Sequence, residues 1–498
     1  MRNRFLAVMA LLLGAFTGAG EVQAGPRTDL VIGMPVEPPG LDPTIAAPTN
    51  IREITQTNVF EGLVRITEAG AIEPLLAKSW DISVDGQTYT FHLQEGVRFH
   101  DGTPFDASIV KYTLERAMAP DSTNAQKQVF APISGIETPA PQTVVIRLSR
   151  PSGNFLYHLG WGDAVMVAPA SAAGNRASPV GTGPFKFKEW QRGSQVELVR
   201  NDDYWQADKL AKLDRVVFRF IADPQAQAAA INSGSVDAFP NITTPELLAQ
   251  WKDNPRFTIA IGNTEGEIVA GMNNARKPFD DVRVRRALMY AVDRNAVIEG
   301  AYSGYGKAIG SHFSPNHPAY IDLTSAIPYD PAKARALLKE AGYPDGFSMT
   351  IKSPQMTYAS RSAEILVALF ADIGVKARVE ITEFPAKWIS DVFQGKNYEM
   401  TIVAQAEPLD IDIYARDGYY FNYNNPAFRE LMTRIDRTTD EKARFALYGE
   451  AQKMLAEDVP ALFLFQWPKL GVWNAKLRGM WQTAPVQVND LTEVYWAE

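Results

Sequence analysis

Residues 179–205, PVGTGPFKFKEWQRGSQVELVRNDDYW, leave the backbone few paths. Gly181 and Gly183 flank Thr182, and Pro184 follows. Glycine reaches φ > 0 and proline fixes φ, so a sharp turn is expected here. Phe185, Phe187 and Glu189 then alternate with Lys186, Lys188 and Trp190, the two-residue period of a half-buried strand. Residues 191–194 read as a turn, and Val196, Leu198 and Val199 as a returning strand. Asn201-Asp202-Asp203 closes the hairpin before Tyr204 and Trp205.

Strand and helix signals alternate along the rest of the chain. LVIGM at 30–34 reads as a strand ended by Pro35, and Ile51, Ile54 and Val59 recur near the helical period over 51–61. Asp85-Gly86 marks a turn before Tyr89, Phe91 and Leu93, which alternate with polar residues. A helix is predicted over 107–118 with Val110, Leu114 and Ala117 on one face, and strands over 143–148 and 213–221. Asp223-Pro224 and Thr244-Pro245 each place a capping residue before a proline at the first helical position, and Asp330-Pro331 opens a further helix. Asp280 or Asp281 caps a helix whose buried stripe is Val284, Leu288, Ala291 and Val292, with its arginines outward. Residues 349–351, a helix at 362–373 stopped by Gly374, and a strand at 375–381 form a strand–helix–strand unit. A last helix at 443–457 precedes a buried strand at 459–465. The fold class is α/β.

The chain has 498 residues, 46% of them hydrophobic and 21% charged, which is enough for two or three domains. Arg2 and Arg4, the short apolar run 5–16, and Val22-Gln23-Ala24 before Gly25 give the pattern of a secretory signal over residues 1–24. Beyond it no apolar run approaches the length needed to span a membrane. There is no cysteine, hence neither a disulfide nor a thiol for a lipid anchor, and a soluble periplasmic protein is expected. The net charge is −8; residues 1–24 carry a net +1, which leaves −9 and argues against nucleic-acid binding.

Several strings resemble those of the bacterial family 5 extracellular solute-binding proteins, the dipeptide- and oligopeptide-type receptors of ABC importers. GTGPF at 181–185 with Asn201 and Tyr204-Trp205 is one, and NVFEGLV at 58–64 is another. FHDGTPFDA at 99–107, SGSVD at 233–237 and the long PFDDVRVRRALMYAVDR at 278–294 follow in the family's order, and DPAKARALLKEAGY at 330–343 extends the match. The resemblance implies two α/β lobes joined by a hinge, with an extra β-rich subdomain on the first lobe, closing on a ligand. It places lobe I at 25–55, 182–270 and 471–498, the inserted subdomain at 56–181, and lobe II at 271–470. It implies an inner-membrane ABC permease as partner, a monomer, a small ligand of peptide type and no cofactor.

The resemblance also suggests ligand residues. Family peptide binders carry W-x-x-D-x-x-D-P, whose first Asp meets the ligand amine; here Glu407 falls at that position, Asp410 at the second Asp, and Ala404 replaces the Trp. Read without the family, Asp410 and Asp412 would only cap a local turn. Arg361 stands where some relatives hold an arginine for the ligand carboxylate. Tyr419, Tyr420 and Tyr423 form an aromatic cluster that would stack on a ring or sugar, or else belong to the core. The altered loop keeps other family ligands open: opines, sugar conjugates, oligosaccharides, haem or a nickel chelate. A sensory partner of a membrane receptor is a reading of another class.

Catalysis has little support. No G-x-S-x-G, Walker or H-E-x-x-H pattern occurs, and His312 and His317 lie five apart in a proline-containing loop, so no metal-ligating set and no catalytic residue are expected. His100 beside Asp101 reads as a turn residue bonded within its own loop. A secreted hydrolase with a dispersed site is the remaining enzyme reading.

Overall fold

A computed structural model describes residues 27–46, 48–407 and 409–498; the expected signal sequence lies outside the described residues. The chain folds into two α/β lobes that share one eleven-stranded sheet. In the first lobe, Asp29–Met34 runs parallel to Arg215–Phe220 and to Ala238–Phe239, and the antiparallel strands Gln195–Arg200 and Phe185–Gln191 extend its edge. In the second, Ser348–Pro354 pairs in parallel with both Lys376–Thr382 and Met400–Gln405. The helix Thr357–Ala371 supplies the crossover between the first two.

Two long antiparallel strands, Phe257–Met272 and Ala461–Asn474, link the halves. Residues 257–263 pair with 468–474 beside the first lobe; in the second, 267–271 pair with 461–466 and 267–272 with Met400–Gln405. Between Asn263 and Glu267 the register breaks, and Thr264 holds the two strands across the gap. Its hydroxyl donates to the Trp467 carbonyl at 2.6 Å, and its own carbonyl accepts from Gln466, Ser314 and Asn316.

A separate four-stranded antiparallel sheet, Ala77–Ile82, Thr88–Leu93, Thr143–Leu148 and Ile133–Ala140, packs with the helix Ala107–Met118 around its own core. Tyr89, Phe91 and Leu93 face inward as their alternation requires, and Val110, Leu114 and Ala117 cover them. Asp106 caps that helix by accepting from the Ser108 amide at 2.8 Å.

The hairpin at 185–200 forms as predicted, with Gly193 at φ 74 in its turn. The glycines before it work differently from expectation. Neither Gly181 nor Gly183 is left-handed. A Cβ on Gly181 would meet the Val59 carbonyl, and one on Gly183 would lie 2.5 Å from the Asn58 oxygen. They are small because the 58–60 backbone passes against them. Glu61 locks the junction: it accepts from Thr182 at 2.7 Å, Tyr204 at 2.7 Å and Trp205 at 3.0 Å. Buried with these donors, its carboxyl is pushed up to about 7, chiefly by desolvation. His100 bonds Gly183 O at 2.9 Å and accepts from Gly181 N at 3.3 Å, so its ring anchors this distant segment rather than its own loop as expected, because the 181–183 backbone passes against it.

Other expectations change. The helix read over 51–61 ends at Thr55, and Thr57 takes φ 64. The turn after Thr244 is a 3₁₀ turn, Pro245–Gln250, without a side-chain cap. Asp281 caps Val282–Tyr290 as expected, but not all its arginines face out. Arg285 is only 7% exposed, and its guanidinium donates to the carbonyls of Phe279, Asp458 and Val459, where it closes the end of the helix Glu441–Asp458.

Candidate functional site

A cavity of about 480 Å³ lies between the four-stranded subdomain and the second lobe. One wall comes from the segment 126–132 and from residues 150–161, which follow the strand Thr143–Leu148. The other comes from the loop and 3₁₀ turn at 407–416 and from the helices Pro426–Arg437 and Glu441–Asp458. Its volume is ordinary for a small-molecule site, about 300–1,000 Å³.

The strand Met400–Gln405 delivers Glu407 to this cavity. Just beyond it Leu409 adopts φ 56, and the turn Asp410–Tyr414 follows. That reversal carries Asp410 and Asp412 onto the same wall. Glu407 accepts a hydrogen bond from the Gln126 side-chain amide across the cavity. Gln126 is oriented for this, because its Oε1 accepts from Gln128 Nε2 at 2.9 Å. Burial pushes the Glu407 carboxyl up to about 7; Arg52 and Arg416 oppose the shift, while Asp163 and Asp410 add to it.

The wall carries both signs of charge. Carboxylates come from Glu407, Asp410, Asp412 and Asp436, and guanidinium groups from Arg150, Arg416, Arg429 and Arg437. Arg416 pairs with Asp412 at 2.9 Å through both nitrogen–oxygen contacts, and Arg150 pairs with Asp436. Asp436 is also a clasp between the walls: its side chain accepts from Ser152 Oγ at 3.1 Å and its carbonyl from Gly153 N at 2.7 Å. Asn154 donates to Tyr448 at 2.6 Å across the same seam.

Behind the loop lies a buried polar cluster. His312 Nε2 sits 2.6 Å from Asp410 Oδ1 and 3.8 Å from Glu267 Oε2, and Tyr414 OH is 3.3 Å from His312 Nδ1. Burial, Asp410 and Glu265 together hold the Glu267 carboxyl well above its ordinary range.

The structure thus brings Glu407 and Asp410 to one cavity and leaves the other four candidates outside its lining. Arg361 makes an ion pair with Glu246 on the turn Pro245–Gln250. Tyr420 is buried among Trp388, Phe393, Tyr398 and Phe421, with Tyr419 against it. Tyr423 donates to Asp458. Tyr420 is part of a hydrophobic core, and Tyr419 and Tyr423, partly buried, pack against it. Sequence reasoning missed the arginines of the helix Pro426–Arg437. Asn425 as cap, Pro426, and the spacing of Phe428, Leu431, Met432 and Ile435 would have disclosed that helix.

The model of the bacterial extracellular solute-binding proteins, family 5 Middle, matches residues 71–426. The chain is 32% identical over 475 residues to the glutathione-binding protein GsiB of Pectobacterium atrosepticum, with 91% of each chain covered. It is 31% identical to the di/tripeptide-binding protein 1 of Pseudomonas aeruginosa, again over 91% of each. Among solved structures it is similar to the periplasmic binding protein DppA of Helicobacter pylori in complex with the peptide STSA, with TM-score 0.82 and 27% identity, covering 95% of this chain and 99% of that one. It is also similar to AgaA of A. tumefaciens R10 in complex with agropinic acid, with TM-score 0.81 and 26% identity, covering 94% of this chain and 99% of that one.

Proposed function

The chain belongs to the bacterial extracellular solute-binding proteins of family 5, and on that premise we propose that it captures a short peptide in the cavity between its lobes and delivers it to the permease of an ABC importer. The observation that carries this reading is the mixed charge of the cavity wall: carboxylates at 407, 410, 412 and 436 beside guanidiniums at 150, 416, 429 and 437. A zwitterion with an ammonium and one or more carboxylates fits such a wall, and a neutral sugar does not use it. Glu407 receives the ligand ammonium in place of the Gln126 amide, and Arg416 or its neighbours receive a carboxylate. Arg361, outside the cavity lining and paired with Glu246 near the surface, has no ligand role in this reading.

In this reading residues 1–24 direct export to the periplasm, the mature protein is a monomer, and it binds without catalysis. Among the described residues no helix is long and apolar enough to cross a membrane. One second reading has a specific observation behind it: four arginines favour a ligand with several carboxylates, which opines of the mannopinic acid type and glutathione both have. A thermal-shift screen of the mature, ligand-stripped protein separates them. The panel holds dipeptides, tripeptides, glutathione and an opine. At 100 times Kd the cognate ligand adds about 2.7 kcal/mol of stability. A shift with peptides supports the proposal, a shift with the opine alone replaces it with the second reading, and no shift with any of them overturns both.

A further inference from the structure

Glu267, His312 and Asp410 each offer one ligand atom, these atoms all lie within 4.8 Å of one another, and all three residues are buried. They come from three separate parts of the chain. Glu267 stands on the long linking strand just past its register break, His312 on the loop after the short strand Lys307–Ala308, and Asp410 at the start of the 3₁₀ turn. Glu267 is 3% exposed, and its Oε2 makes no hydrogen bond although it points at the His312 ring nitrogen 3.8 Å away. An unsatisfied carboxylate oxygen in such a place is costly unless a cation or proton meets it. We propose that Glu267, His312 and Asp410 bind a divalent transition-metal ion of the zinc class.

The donor set supports the class. Imidazole with two carboxylates suits zinc and its neighbours rather than calcium or magnesium, which take oxygen ligands alone. Zinc–nitrogen and zinc–oxygen bonds are about 2.0–2.2 Å, so two donors on one ion stand up to about 4.4 Å apart. The 3.8 Å between Glu267 and His312 lies within that limit, while the 2.6 Å between His312 and Asp410 is a hydrogen bond that lengthens when an ion enters between the two atoms. The second shell is present too. Ligation by Nε2 leaves the proton on Nδ1, where the Tyr414 hydroxyl lies 3.3 Å away to accept it and fix the ring. A void of about 10 Å³, lined in part by Ser314 and Leu409, adjoins the three donors and leaves room near one water molecule in size for a fourth position.

The site ties the linking strand to the loop that carries Glu407, so an ion there would set the loop's position whatever solute is carried. The test uses zinc alone. The mature protein is stripped with EDTA, dialysed and titrated with zinc chloride by calorimetry, with bound metal counted by elemental analysis. One zinc per chain is expected. Binding should weaken at least tenfold in Glu267→Gln and disappear in His312→Ala, because loss of a second-shell partner alone costs about 10–100-fold. Glu267→Gln keeps the shape of the buried side chain and so decides the matter if His312→Ala does not fold. Cobalt(II) should bind to the wild type with the visible bands of a low-coordinate site, absent in Glu267→Gln. No zinc retained, or one zinc retained unchanged by Glu267→Gln, overturns the proposal and leaves a hydrogen-bonded cluster.

Discussion

At the scale of single residues, burial sets the chemistry. Glu407 lies in a wall where its carboxyl is raised to about 7, so near neutral pH it is partly protonated. An ammonium ligand favours the carboxylate, so binding should release a proton below about pH 7, and affinity should rise as pH rises through 7. It should fall again when the ligand amine loses its own proton, near 8 for a free α-amine. Calorimetry in buffers of different ionisation enthalpy measures the released proton directly. Glu61 gives a matching stability effect with the sign fixed by its raised value. The folded protein keeps a proton there that the unfolded chain has released above its ordinary 4.5, so this contribution is full below 4.5 and is lost as pH climbs to about 7. Glu61→Gln should flatten that part of the urea-denaturation profile between pH 5 and 8. Glu61→Ala strips Thr182, Tyr204 and Trp205 of their acceptor and should cost about 3 kcal/mol or more, at 1–3 kcal/mol for each donor left buried.

At the scale of elements, local signals were legible and distant ones were not. Asp106, Asp223, Asp281 and Asp330 cap the helices their sequences announced, because a cap and its amide lie within three residues. The hairpin at 185–200 and the strand–helix–strand unit at 348–382 followed from period and turn residues alone. Arg285 was misread because its partners, the carbonyls of Asp458 and Val459, come from a helix end far along the chain. The strand Phe257–Met272 carried no clear period: beyond residue 264 it is covered on both faces, which erases the alternation. The glycines at 181 and 183 were rightly marked and wrongly explained, since nothing local reveals that Val59 and Asn58 pass beside them. Gly183→Ala should therefore destabilise by about 1–3 kcal/mol, the range for overpacking a tight contact, read by urea denaturation. Gly193→Ala, with no atom near its Cβ, should cost only the strain of its φ of 74.

At the scale of the whole molecule, the cavity exists because two walls from distant parts of the chain meet. Of the site, only Glu407 and Asp410 were foreseen, and through a family loop rather than through their own chemistry. The opposing wall is out of reach of any local reading, since Gln126, Arg150 and Asn154 meet their partners across some 280 residues or more of chain. Asp436 clasps both walls, so Asp436→Ala should bias the protein toward opening. Ligand affinity should fall by about 1 kcal/mol, roughly fivefold in Kd, and the ligand-bound protein should show a larger radius of gyration in solution scattering than wild type at subsaturating ligand. The central claim is that Glu407 grips a free amine inside this cavity. Calorimetric titration with the best peptide of the panel and with its N-acetylated form tests it most directly. The account predicts that acetylation weakens binding by about 1.5–3 kcal/mol in the wild type and has little further effect in Glu407→Gln. Equal affinity for the two peptides in the wild type would contradict it.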